Sequence, residues 1–182
     1  SESGYRSPGW QEPYTIEERS ERHAVLQADL SNGLRLTRRI ELGFDGEEVT
    51  VSTTVTNVSG QVRTAAPRSH PAFAVTFAPG SRVQIRRPDG TWRAIEFATK
   101  PDEEQSVWLE GDEVPTGEWS IEDNGSGLRL VCTFDRTPIA KCPLNWSGPQ
   151  KRVNLELFAA EKELAPGQSI TLKQVWRIEP LA

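Results

Sequence analysis

Two short stretches carry residue types that could do chemistry: RSHPAFAVTF over residues 68–77 and VNLELF over residues 153–158. Read as strands, both point alternate side chains to opposite faces. In the first, Phe73, Val75 and Phe77 make a bulky apolar face, while His70, Ala72, Ala74 and Thr76 make a small one with a single imidazole at its end. In the second, Val153, Leu155 and Leu157 face one way and Asn154, Glu156 and Phe158 the other. Such an imidazole either borders a cleft or caps its strand through a local hydrogen bond. A mid-strand glutamate is either a site carboxylate or an ordinary residue of a solvated sheet face. Together, His70 and Glu156 would form an acid–base pair, the carboxylate taking a proton and an imidazolium giving one near neutral pH. Two such groups working around a sugar ring would stand on the order of 5–9 Å apart.

The neighbours of these residues extend the same reading. Trp146 and Phe158 offer flat apolar surface on which the C–H faces of a sugar ring stack, and Asn154 adds an amide beside them. Arg68 and Arg152 flank the two stretches, and guanidinium groups recognise phosphate and carboxylate through a planar fork. If both arginines lie on the face of His70 and Glu156, an anionic or phosphorylated sugar is favoured. If they lie elsewhere, a neutral glycan fits better.

The elements that must position these residues read as strands almost throughout. Residues 33–42 (GLRLTRRIEL) alternate Leu34, Leu36, Ile40 and Leu42 against polar residues, with Arg38 the exception. An Asp45-Gly46 turn leads into EVTVSTTVTN over 48–57, a hairpin signal. Residues 82–96 repeat the device around Pro88-Asp89-Gly90, and 128–134, 153–158 and 169–179 complete the set. Residues 15–28 fit a helix or a strand about equally. Many short strands separated by Gly, Pro, Asn and Asp, without internal repeats, predict an all-β, antiparallel β-sandwich. The acidic, proline-containing stretch 99–118 reads as a long excursion at one end of the sheets, residues 1–13 as an arm or linker, and 14–182 as a single domain.

Composition limits the function classes. The chain has 182 residues, six of them Trp, and a net charge of −5, enough for one domain with a sizeable core. An acidic balance argues against a nucleic-acid partner. The local basic groups Arg35, Arg38, Arg39 and Arg82, Arg86, Arg87 alternate with strand residues and read as solvated sheet faces. No run of about 18 apolar residues is present to span a membrane, and the first ten residues lack the charged-then-apolar pattern of a secretory signal. Residues 130–142 (LVCTFDRTPIAKC) read as a hairpin turning near Asp135-Arg136-Thr137-Pro138, which sets Cys132 and Cys142 opposite each other, as a disulfide or as two buried thiols. With two histidines and no CxxC, neither a metal nor another cofactor is implied. The three Asn-x-Ser/Thr sequons, at Asn57, Asn124 and Asn145, carry little weight beside strands.

The order GLRLTRRIELGFDGEEVTVSTTVTNVS, SHPAFAV, VNLELF and LAPGQSITLKQVWRI resembles the galactose mutarotase-like superfamily, over residues 24–180. That group includes aldose 1-epimerases and the supersandwich domains of glycoside hydrolases. The resemblance implies a supersandwich that corresponds to the C-terminal half of longer members, with the N-terminal half or a partner domain elsewhere. It implies Glu156 as the base that takes the anomeric hydroxyl proton and His70 as the acid that protonates the ring oxygen. His23 stands outside the context of a second sugar-contacting histidine, Ala72-Phe73 replaces the usual aromatic pair after the histidine, and Glu118 is the nearest acidic residue between the two motifs. On that basis the expected function is a carbohydrate-binding sandwich, with sugar or glycan as partner, of the kind attached to carbohydrate-active enzymes. The alternatives are an aldose 1-epimerase and a structural sandwich without a ligand.

Overall fold

The computed structural model describes residues 8–9, 12–97 and 102–181, so most of the arm expected over residues 1–13 lies outside the described residues. Among these residues there is no α-helix, and the chain is an all-β protein of antiparallel sheets. Its contacts divide it into two compact units, the first running to Pro67 and including Glu161–Lys173, the second comprising Arg68–Ala160 and the residues from Gln174 onward.

The first unit is an antiparallel sheet of β1 (Thr15–Arg19), β2 (His23–Asp29), β3 (Leu34–Leu42) and β4 (Glu48–Asn57). The ambiguous stretch 15–28 is therefore a strand pair. Its turn is closed by the Ser20 hydroxyl, which accepts from the backbone N–H groups of Arg22 and His23 at 3.2 and 3.1 Å. Gly46 takes the left-handed φ of 79° that the expected Asp-Gly turn requires. A small pair, β5 (Arg63–Ala65) with β16 (Lys162–Leu164), completes the unit.

Asn57, at the end of β4, is fully buried and ties the unit's loops together. Its amide donates to the carbonyls of Gln61 and Leu164, each at 2.7 Å. Its oxygen accepts from the Ser59 backbone at 3.0 Å and the Ser59 hydroxyl at 2.8 Å. The Val-x-Asn-x-Ser run is thus a structural knot.

The second unit contains two sheets. One joins β9 (Trp92–Glu96), β8 (Arg82–Arg86), β11 (Glu118–Asp123) and β12 (Leu128–Phe134) to the residues of β17 (Ser169–Pro180) from Gln174 onward. The other is built on β13 (Ile139–Ser147). On one side of it lies β10 (Glu104–Glu110); on the other lie the consecutive segments β14 (Arg152–Leu155) and β15 (Leu157–Ala159), flanked in turn by β7 (Ala72–Ala74) and β6 (Arg68–Ser69). Val83, Leu109, Leu144, Val153, Leu155 and Leu157 are fully buried, and Phe73 meets Trp176 with ring centroids 4.6 Å apart.

Three expectations are corrected here. Residues 104–110 are a strand paired along its whole length with β13, because Val107 and Leu109 alternate with outward residues under an acidic composition that hides the period. Residues 130–142 do not form a hairpin. Cys132 is opposed by Trp119 and Trp176 and Cys142 by Leu109, in different sheets, and both thiols are free and buried. Burial pushes each of them up to about 12. The strand expected to run to Phe77 stops at Ala74. There the Asp123 carboxylate takes the Thr76 N–H at 3.0 Å in place of a ladder partner, and Phe77 turns to a left-handed φ of 58°.

Candidate functional site

The sheet built on β13 has one face in the core and the other outward. Four strand lines cross the outward face in register. The first row runs His70, Glu156, Pro143, Trp108; the rows beside it run Arg68, Phe158, Lys141, Glu110 and Ala72, Asn154, Asn145, Ser106. The same register continues from the β7–β14 pairing into the β6–β15 pairing, which places His70 directly opposite Glu156.

Prolines explain why the ladder breaks at these two residues. The Glu156 N–H donates to the Pro143 carbonyl at 3.1 Å, but Pro143 has no N–H to return. Pro71, next to His70, likewise cannot donate toward Leu155. The backbone thus loosens where the imidazole and carboxylate meet.

Glu156 is only 1% exposed, and its oxygens are surrounded by donors. Oε2 accepts from Arg68 through Nε at 2.9 Å and through Nη2. Oε1 accepts from the Asn145 amide at 2.7 Å and lies 3.1 Å from His70 Nε2. Arg68 Nη2 also approaches His70 Nδ1 at 3.2 Å. A guanidinium only donates, so Nδ1 is the accepting nitrogen and the imidazole proton belongs on Nε2, facing Glu156. The Asn154 amide lies 2.8 Å from that same Nε2, while its Oδ1 is buried without a partner; half a turn of the amide puts the oxygen against the imidazole N–H. Burial holds His70 below the usual histidine value. Glu156 pulls it up and the charges of Arg68 and Arg152 push it further down, so the imidazole is neutral at neutral pH.

Beside this cluster lies an aromatic patch. Trp108, 44% exposed, and Phe158 stand with centroids 6.0 Å apart. Lys141 lies 4.8 Å over Trp108 and 5.3 Å over Phe158, and the Arg68 guanidinium lies 4.6 Å over Phe158. The Ser106 hydroxyl donates to Asn145 Oδ1, so Asn145 is held from both sides.

The structure therefore brings His70, Glu156, Arg68, Asn154 and Phe158 together, with Arg152 on the same face two residues before Asn154. Trp146 is a correction. In register with Val153 and only 5% exposed, it is on the core side of β13, since each residue's neighbour points the opposite way. Direct cross-strand opposition puts His70 and Glu156 in contact at 3.1 Å, closer than the separation on the order of 5–9 Å of paired groups around a sugar ring. Trp108, Lys141, Asn145 and Ser106 were not anticipated. For Asn145 the signal was its place in a strand one residue before Trp146; for Trp108 it was the alternation within 104–110.

No protein-family model and no curated protein matches the sequence, whereas solved structures match the fold. A provisionally assigned aldose 1-epimerase from Escherichia coli K12 is similar with a TM-score of 0.73 at 18% identity, over 95% of this chain and 70% of that one. A galactose mutarotase-like protein from Clostridium acetobutylicum is similar with a TM-score of 0.67 at 14% identity, over 92% of this chain and 67% of that one. An α-galactosidase from Lactobacillus brevis is similar with a TM-score of 0.59 at 9% identity, over 93% of this chain and 25% of that one. The chain has the β-sandwich fold of galactose mutarotase-like structures. It spans about two thirds of the two shorter proteins, where the motif order alone implied a half.

Proposed function

We propose that the outward face around Glu156 binds a carbohydrate. The observation that carries this reading is the pairing of an exposed Trp108 and Phe158 with hydroxyl, amide, carboxylate and cationic groups on one regular sheet face. An aromatic patch takes the apolar side of a sugar ring while such groups bond its hydroxyls. The fold is that of structures described as mutarotase-like or as an α-galactosidase, which fits the same chemistry. The test is a titration of the protein with a panel of neutral and acidic mono- and oligosaccharides, followed by tryptophan fluorescence. At least one sugar is expected to bind, and Trp108→Ala is expected to weaken it about tenfold or more while leaving the fold intact. A panel without a binder, or one bound equally by Trp108→Ala, overturns the reading.

A second reading, anomer interconversion of the aldose 1-epimerase type, rests on the likeness in fold to structures described as aldose 1-epimerases and on an imidazole and a carboxylate sharing one face. At 3.1 Å the two stand closer than groups flanking a sugar ring. In this scheme Glu156 accepts the anomeric proton, and His70, neutral in the free protein, first takes up a proton and then delivers one to the ring oxygen. Every acceptor direction of Glu156 is occupied, so the carboxylate acts as a base only after exchanging one of its donors. Polarimetry on freshly dissolved α-glucose and α-galactose tests it: the wild type accelerates mutarotation and Glu156→Gln does not. Equal rates for both proteins exclude catalysis by this pair.

A further inference from the structure

Arg68 stands out among the partners of Glu156. Asn145 is held on the central strand by Ser106 and Glu156 together, and His70 is held by Asn154. Arg68 comes from the two-residue strand β6 at the sheet edge, and its side chain is 29% exposed. It grips Glu156 through Nε and Nη2 while its guanidinium lies on Phe158, part of the surface a sugar ring would use. It is therefore the partner able to leave, and it must leave for Glu156 to accept a ligand hydroxyl.

We infer that Arg68 is the specificity-determining residue of this face: it holds Glu156 until the carboxylate of a uronic-acid-type sugar draws its guanidinium away and leaves Glu156 to that sugar's hydroxyl groups. This rests on the carbohydrate reading above. The argument is one of exchange in kind. Separating a guanidinium from a buried carboxylate is costly unless each receives a substitute, and a ligand shifts such an equilibrium only through its differential contacts with the two states. A neutral sugar offers Arg68 no charge. A sugar carboxylate presents the same planar acceptor that Arg68 already grips, on a face where Lys141 lies over Trp108 and Phe158 beside it. Glu156 meanwhile keeps Asn145 and His70.

The charges facing His70 support the exchange. Glu156 favours the imidazolium, while Arg68 and Arg152 oppose it, as does burial. Withdrawing Arg68 removes one opposing charge and leaves Glu156 in contact, which raises the affinity of His70 for a proton while burial and Arg152 still oppose it.

The test uses the full chain, labelled with nitrogen-15, titrated separately with sodium galacturonate and with galactose. The Nε–Hε resonance of Arg68, identified by its loss in Arg68→Lys, reports the guanidinium directly. Galacturonate is expected to bind about tenfold more tightly than galactose, as one charge-assisted pair predicts, and to shift that resonance where galactose does not. In Arg68→Lys, which keeps the charge but loses the fork, the preference shrinks. Equal binding of the two sugars, or galacturonate binding with the resonance unmoved, overturns the role of Arg68 and leaves the carbohydrate reading standing. Failure of both sugars, and of the wider panel, overturns both. If Arg68→Lys does not fold, the ratio of the two wild-type affinities decides by itself: a preference of about tenfold for galacturonate supports the role of Arg68 and equal binding overturns it.

Discussion

Asn57, at the end of β4, and Glu156, at the break between β14 and β15, are both buried polar residues, one in each compact unit, and they are satisfied in opposite ways. Asn57 spends its hydrogen bonds on main-chain groups, two carbonyls and one N–H, plus a hydroxyl two residues away. Glu156 spends its side-chain bonds entirely on other side chains, those of Arg68, Asn145 and His70. Main-chain partners cannot be exchanged without unravelling a loop, so the first cluster is architecture. Side-chain partners on an outward sheet face can rotate away, so the second cluster can exchange partners with a ligand. The two motifs look equally conspicuous in the sequence; what separates them is what their polar atoms hold.

Three measurements break or sharpen this contrast, beginning with the largest effect. Asn57→Ala removes the amide donor to the Leu164 carbonyl in the buried interior and the acceptor of the Ser59 N–H, and is expected to cost about 2–3 kcal/mol of stability by denaturant titration, with sugar binding by the folded fraction unchanged. A loss below about 0.5 kcal/mol, the range of ordinary surface changes, would show that the knot is dispensable. Glu156→Gln keeps the shape but turns one donor toward donors, and is expected to cost about 1–2 kcal/mol while abolishing binding on the face. If it cost more than Asn57→Ala and left binding intact, the roles of the two clusters would be reversed.

The smallest effect is electrostatic and comes from His70. Because its folded value lies below 6.5, the unfolded chain takes up the proton first as the pH drops. This contribution to stability is complete above about pH 6.5 and declines as the pH falls from there toward the folded value. Denaturant midpoints compared at pH 8 and pH 5.5 should fall further for the wild type than for His70→Gln. Parallel declines would mean that His70 does not report the burial and charges around it.

Much of the fold was legible because alternation is a property of a single strand. Leu34 to Leu42, Val49 to Val55 and Val153 to Leu157 declare their inward faces without reference to any partner, and Asp45-Gly46 and Pro88-Asp89-Gly90 declare their turns. Residues 104–110 were less legible because acidic neighbours dilute the period. The separation of Cys132 from Cys142 was not legible, since a short link can close a hairpin or carry the chain from one sheet to another.

The same division holds at the site. By itself the sequence determined that His70, Glu156 and Phe158 face away from the apolar side of their own stretches. Only the tertiary structure decided that His70 and Glu156 oppose each other in one register, that Trp108 shares their face and Trp146 does not, and that Arg68 grips the carboxylate. The reason is physical. Side-chain direction follows from the two-residue repeat of one strand, whereas register and the choice of neighbour are set by packing between segments as far apart in the chain as residues 68 and 156.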